Sequence, residues 1–316
     1  VTTADEPVWL VTGADGMLAR DLLARLEQAG ISAVGVGRSG LDITDPNAVR
    51  RILRAHRPAL VVNCAAWTAV DEAEEREAEA HAVNGTGPRL LAEECGALRA
   101  VLLQVSTDYV FDGSATRPYS EDAPTAPRTA YGRSKLAGER AVLRALPHTG
   151  YVVRTAWLFG EHGHSFVRTM MGLACGTGPV EVVDDQRGQP TWTGDLADRL
   201  VLLGRAALTR NAPPGIYHGT CAGDATWFAL AAEVFTLLGA DTSRVRPVSS
   251  DTFVRPAARP TYSVLGHDRW RQAGIDPMSH WRDAVARAWP SMCRAEATGP
   301  RRSVRSGPAG SSPRSS

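Results

Sequence analysis

The chain has almost no net charge. Its 316 residues carry 35 Lys and Arg against 34 Asp and Glu, a balance of +1. That excludes nucleic acid or an anionic membrane surface as the main partner. Long apolar runs are also missing, and none approaches the roughly 20 residues a membrane-spanning helix needs. Cysteine is scarce: Cys64, Cys95, Cys175, Cys221 and Cys293 are far apart and odd in number. With no C-x-x-C and no close Cys/His group, a disulfide framework and a zinc ribbon are excluded. The expectation is reduced thiols in a cytoplasmic protein, most of them buried as small apolar residues. The opening VTTADEPVWLVTG lacks the basic-then-apolar order of a secretion signal. Without such a signal the glycosylation pattern at Asn84-Gly85-Thr86 is coincidence. Internal repeats are absent too.

What is there is alternation. Short apolar runs at 8–13, 32–37, 59–66, 100–107 and 151–160 read as buried strands. Between them lie helical patterns. Residues 17–30 place Leu18, Leu22 and Leu26 on one side, with Gly30 as a stop. Residues 45–58 begin with Asp45 as N-cap and Pro46 at the first helical position. An acidic, Ala-rich helix from Asp71 to Cys95 is expected to break near Gly85–Pro88, and another helix ends near Leu146. Strands alternating with helices predict an α/β fold, a Rossmann-type doubly wound parallel sheet. The second half is less regular, with a strand, turn and helix over 179–208, a strand at 215–220, a helix at 225–240 and a loop turning helical over 259–274. The expected division is a dinucleotide-binding domain over 1–162, to which 179–212 returns, and a smaller α/β C-terminal substrate lobe within 163–296. A disordered Gly/Pro/Ser/Arg tail follows over 297–316.

Chemistry concentrates at the carboxyl ends of the predicted strands, where ligands of doubly wound sheets sit. In VTGADGMLARDL, Gly13 allows a tight turn, and Gly16, at the start of the helix, lets a pyrophosphate approach its positive end. Asp15, Met17 and Leu18 fall in the same turn. The second strand ends VGVGRSG, with no carboxylate for the adenosine ribose. Arg38 stands there instead and suits a 2′-phosphate, so NADPH is expected over NADH, which stays possible. Asp42 and Ile43 are placed to flank the adenine. Ala65 and Ala66, in NCAAWTAVDEAE, let the backbone lie against the cofactor. STDYVFDG ends the fourth strand and offers the Thr107 hydroxyl. TAYGRSKLAGE puts Tyr131 and Lys135 one helical turn apart on one face, a phenol with a cation able to acidify it.

In their order and spacing these motifs resemble the extended short-chain dehydrogenase/reductase superfamily and, within it, the dTDP-4-dehydrorhamnose reductases. STDYVFDG, YGRSKLAGE, RTAWLFG, DDQRGQPT and ARPTYSVL carry that resemblance, which spans about residues 8 to 290. It implies reduction of the 4-keto group of a dTDP-linked 6-deoxy-L-hexose with NADPH. Thr107, Tyr131 and Lys135 are then the catalytic set. Tyr131 is the general acid, Lys135 lowers its pKa and holds the nicotinamide ribose, and Thr107 polarises the carbonyl. Asp71, Thr107, Asp108, Tyr109, Trp157, Gln186 and Arg259 are the substrate contacts that the resemblance implies, with Pro190-Thr191 shaping the same cleft.

A magnesium-linked dimer found in part of the family uses a Glu where Gly194 falls here, so neither metal nor that dimer is carried over; a monomer or homodimer is expected. His162 and His164 have no third ligand in the sequence, and no metal is expected. The same resemblance leaves other readings open: a dihydrostreptose synthase or other dTDP-ketosugar reductase of antibiotic biosynthesis, or a non-catalytic partner like a regulatory subunit of methionine adenosyltransferase. A dehydratase would carry an acidic pair after Thr107, where Asp108-Tyr109 stands.

Overall fold

The computed structural model describes residues 7–298. The leader reading therefore falls mostly outside the described residues, and so does the tail, except for Ala297 and Thr298. The chain opens with β1 (Trp9–Thr12), α1 (Met17–Gln28), β2 (Ala33–Val36), α2 (Pro46–His56) and β3 (Leu60–Asn63). Asp45 caps α2 as expected, its carboxylate accepting from the Asn47 amide, with Pro46 at the first turn.

The acidic segment departs from expectation. It divides at Arg76 into α3 (Val70–Glu75) and α4 (Glu77–His81), whereas Gly85–Pro88 does not break it. There a π-helical turn (Ala82–Thr86) runs straight into α5 (Gly87–Leu98). Within that turn Asn84 is buried.

β4 (Val101–Thr107), α6 (Ala130–Ala145) and β5 (Gly150–Thr155) follow. The fifth strand is shorter than expected because Trp157 adopts a left-handed φ of 48°, which no strand tolerates. The chain resumes as β6 (Leu158–Phe159), then α7 (Phe166–Ala174), β7 (Val180–Val183), β8 (Arg187–Gly188), β9 (Thr191–Trp192), α8 (Thr193–Leu208) and β10 (Gly215–His218). The last elements are β11 (Ala225–Thr226), α9 (Trp227–Leu237), β12 (Val245–Val248), α10 (Asp268–Gln272) and α11 (Trp281–Thr298). Sequence reading missed α11, which carries Pro290 within it.

Six parallel strands form the central sheet in the order β10-β5-β4-β3-β1-β2. The order reverses at β1 and β3, which creates the ligand crevice at their carboxyl ends. Successive strand residues alternate between two cores. Leu10, Val61 and Leu102 meet the Leu53 and Leu91 side, while Val11, Val62 and Leu103 meet the Leu22 and Leu200 side. Burial on both faces explains why these strands read as unbroken apolar runs.

The return of the chain differs from the expected 179–212. β7 and β8 pair outside the large sheet, with β12 and β11. α8 packs on α1, and β10, beyond residue 212, extends the large sheet beside β5. Of the cysteines only Cys95 and Cys221 are buried; Cys64 and Cys293 are half-buried and Cys175 is exposed, all as free thiols. No helix among the described residues is long and apolar enough to cross a membrane.

Candidate active site

A buried polar ladder runs along the carboxyl edge of the sheet. Thr12 donates to Asn63 Oδ1 at 2.5 Å, and Asn63 Nδ2 donates to Gln104 Oε1 at 2.7 Å. Asn63 Oδ1 also accepts from the Ala65 amide at 3.2 Å. The ladder ties the ends of β1 and β3 to the middle of β4, which runs on to Thr107. The β1 loop turns at Gly13, whose φ is 65°; a Cβ there would lie 2.7 Å from the Ala65 nitrogen. Only glycine lets these two loops touch.

Gly16 then begins α1 with no side-chain cap and no acidic residue in the first turn. α2, α6, α7 and α9 are capped by side chains, whereas α3, α4, α5, α8 and α10, like α1, are not. An uncapped helix start at Met17 and Leu18, reached over two glycines, fits a dinucleotide pyrophosphate. Ala65 and Ala66 are half-buried beside it. Arg38 is exposed past the end of β2. Asp42 is exposed but already accepts from the Thr44 amide and hydroxyl at 2.9 and 2.7 Å. Ile43 departs from its expected place, since its side chain is buried in the core against Gly87. It offers an adenine only its backbone.

α6 starts at Ala130, with Thr129 capping it through the Gly132 amide at 3.0 Å. Asn84 ties α6 to the β3 loop, donating to Ser134 Oγ and to the Trp67 carbonyl, each at 3.0 Å. Thus the π-helical turn positions the helix that bears Tyr131 and Lys135, a role sequence reading did not assign. Its only signal was a polar residue in an apolar helical face.

Tyr131 is 9% exposed and Lys135 4%. The ring of Tyr109 meets that of Tyr131 edge-on, with centroids 5.6 Å apart. Burial pushes the Tyr131 phenol up to about 12; the Thr107 hydroxyl opposes this, and the Asp108 charge adds to it. The expected tuning by Lys135 is not how the groups are arranged. Lys135 Nζ donates to the Val105 carbonyl at 2.6 Å, and burial lowers its own pKa to about 8, against the attraction of Glu139. Glu139, one turn further on, is fully occupied by Arg154. Both carboxylate oxygens take guanidinium hydrogens, at 2.9 and 2.7 Å, and both side chains are 2% exposed.

Thr107 Oγ1 donates to Asp108 Oδ1 at 3.0 Å. Asp108 is fully enclosed, and desolvation raises it to about 6 despite the bond from Thr107. Tyr109 is pushed up by burial and feels the charges of Arg259 and Asp71. Asp71 and Arg259 form a direct ion pair at 2.8 Å. The expected substrate contacts Asp71, Tyr109 and Arg259 therefore lie together with Thr107, Asp108 and Tyr131.

Trp157 lies two residues past Thr155, which is in register with Thr107. It stacks on Trp227 at 3.5 Å, and Gly188 lies at its edge. Gln186 is buried just before β8. A cavity of about 80 Å³ opens beside Tyr109 and Arg259 but does not include Thr107, Tyr131 or Lys135. The histidines were expected to lack a third ligand, but His162 stands with Glu161 at 3.1 Å and Asp21 at 3.7 Å, a group of three side chains of metal-ligating type. His164 instead meets Thr169.

A parallel sheet with an uncapped glycine-rich turn and a Thr-Tyr-Lys set at its carboxyl edge defines a Rossmann-type enzyme of the extended short-chain dehydrogenase/reductase class. The chain belongs to the family described as RmlD substrate binding domain, which matches residues 8–293. It is similar to the dTDP-4-dehydrorhamnose reductase of Streptomyces griseus, 60% identical over 287 residues, covering 91% of this chain and 94% of that protein. The dTDP-4-keto-6-deoxy-D-glucose reductase of Streptomyces niveus is 53% identical over 90% of this chain and 97% of its own length. Among solved structures, the dTDP-4-dehydrorhamnose reductase of Bacillus anthracis in complex with NADP has a TM-score of 0.85 and 34% identity, covering 90% of this chain and 99% of that one. The chain is an oxidoreductase of the dTDP-4-dehydrorhamnose reductase type.

Proposed function

We propose that this enzyme reduces the 4-keto group of dTDP-4-dehydro-6-deoxy-L-mannose to give dTDP-L-rhamnose, with NADPH as reductant. The observation that carries the reading is Thr107, Tyr131 and Lys135 gathered at the carboxyl edge, in a chain 60% identical to a reductase named for that reaction. NADPH is the family's reductant, and Arg38 with the uncapped start of α1 suits it. When bound, the reduced nicotinamide supplies the hydride that adds to C4.

The rest is the work of the chain's own groups. Thr107 Oγ1 is a donor at the strand end, able to turn from Asp108 to the sugar carbonyl and polarise it. Tyr131, protonated at neutral pH, gives its phenolic proton to the alkoxide oxygen as charge develops there. With a pKa near 12 it is a reluctant acid, yet an alkoxide is a stronger base still. Lys135, charged below about pH 8, holds a ribose hydroxyl. Burial of the set excludes water that would otherwise level these differences.

A second reading has its own support. The Streptomyces niveus relative is named for a D-sugar, and one from Streptomyces antibioticus, 55% identical, is named a probable 4-ketoreductase of another dTDP-ketosugar. The test follows NADPH oxidation with dTDP-4-keto-6-deoxyglucose, with and without the 3,5-epimerase that makes the L-sugar. Turnover only with the epimerase, yielding dTDP-rhamnose and falling by at least about 100-fold in Tyr131→Phe, is the expected result. Turnover without the epimerase would overturn the L-sugar assignment.

A further inference from the structure

The end of β2 lacks the acidic residue that marks an NAD site, yet a carboxylate is there. It comes from the other loop. Gly37 closes β2 so tightly against the glycine-rich turn that a Cβ built on it would lie 2.1 Å from Asp15 Oδ2 and 2.8 Å from Asp15 Cγ. The Ala14 amide donates to the Val36 carbonyl at 3.2 Å, which pins the turn to the strand and sets the Asp15 backbone beside Gly37. Asp15 is exposed and, among the described residues, makes no hydrogen bond or ion pair. Its neighbour Arg38 is exposed as well.

Two opposite charges therefore stand uncommitted at the strand end over which the adenosine ribose of a dinucleotide lies. They want different ligands. A guanidinium pairs with a 2′-phosphate. A carboxylate accepts from free ribose hydroxyls and repels a 2′-phosphate carrying nearly two negative charges. We propose that Asp15 is a cofactor-selectivity residue of this enzyme, a carboxylate supplied from the glycine-rich turn that weakens NADPH and supports NADH. Gly37 is part of the device, because any side chain there would displace the carboxylate. The inference rests on the dinucleotide reading of the turn and not on the identity of the sugar.

Binding to the full chain tests it without turnover. Dissociation constants for NADPH, NADH, 2′,5′-ADP and 5′-ADP are measured by calorimetry for the wild type, Asp15→Asn and Arg38→Ala. Asp15→Asn is expected to tighten NADPH and 2′,5′-ADP by roughly fivefold to tenfold, the scale of one exposed charge contact with a dianion. It should loosen NADH and 5′-ADP severalfold. Arg38→Ala should do the reverse, loosening only the 2′-phosphorylated pair, and added salt should shrink both effects. Equal changes for all four ligands in Asp15→Asn, or none, would overturn the proposal and leave the dinucleotide site standing. Failure of the wild type to bind any of the four would overturn the dinucleotide reading with it.

Discussion

Asp71 on α3 and Arg259, 188 residues further along, are joined by a hydrogen bond of 2.8 Å from Nη2 to Oδ2. The other carboxylate oxygen accepts from the Ala257 amide at 3.2 Å, and Arg255 approaches at 3.6 Å. Burial alone would raise the Asp71 pKa, but these donors and charges win and hold it below the ordinary carboxylate value. One carboxylate thus fastens the loop of the C-terminal part over the end of the sheet. It also holds Arg259 at the cavity that Tyr109 lines.

Removing that fastening should separate binding from chemistry. Asp71→Asn keeps the shape but loses the charge, and the loop then holds Arg259 less firmly. The expected outcome is a KM for the nucleotide sugar raised roughly threefold to tenfold, the worth of a partly exposed pair, with kcat little changed. Steady-state kinetics checks it; an equal fall in kcat with unchanged KM would place Asp71 in the chemistry instead.

Asp108 carries a pH-dependent penalty. Its carboxyl is raised by burial to about 6, so between the unfolded value of about 3.9 and 6 the folded state binds more protons than the unfolded. Stability therefore falls as pH rises through that window, and the whole cost is present at neutral pH. Asp108→Asn should stabilise the fold by about 2–3 kcal/mol at pH 7. The gain should vanish below about pH 3, where the carboxyl is protonated in both states. Thermal melts at the two pH values decide it.

The Glu139–Arg154 pair lies behind the active site, with the guanidinium 4.9 Å from the centre of the Phe111 ring. Breaking such a pair strands a buried charge. Arg154→Met should cost about 3–5 kcal/mol. In the double variant Glu139→Leu/Arg154→Met no charge is stranded, and most of that loss should return. Denaturant unfolding measures both, and a double variant no more stable than the single one would show that the pair has a worth beyond mutual neutralisation.

Gly188 leaves no room beside Trp157: a Cβ there would lie 2.4 Å from the indole. Gly188→Ala should push Trp157 off its stack on Trp227, raising the sugar KM about tenfold or more while NADPH binding stays as it was. Paired sugar kinetics and cofactor titration distinguish this from general damage.

Much of the architecture was legible because it is written in local pattern. Apolar runs of strand length and the 3.6-residue spacing of Leu18, Leu22 and Leu26 need only neighbours to be read. The Asp45-Pro46 start of α2 is equally local. The break placed at Gly85–Pro88 was misread because the inward turn of Asn84 depends on Ser134, fifty residues away. α11 was missed, and a proline within a helical stretch is a local signal pointing the wrong way. Its buried Trp281 and Val285 are held by packing no window of sequence contains.

The site divides in the same manner. Tyr131 and Lys135 share a helix face by spacing alone, and the glycine turn announces itself by its position after a strand. The sequence by itself determined the alternating strands and helices of the first half, which of their ends face the crevice and which chemical groups stand there, since these follow from backbone periodicity and residue type. Only the tertiary structure decided how those groups act on one another. It turned Lys135 to a carbonyl instead of toward Tyr131, sank Ile43 into the core, paired Asp71 with Arg259 and laid Asp15 against Gly37. Charge and desolvation depend on distances between segments remote in the chain, and those distances exist only once the loops have closed.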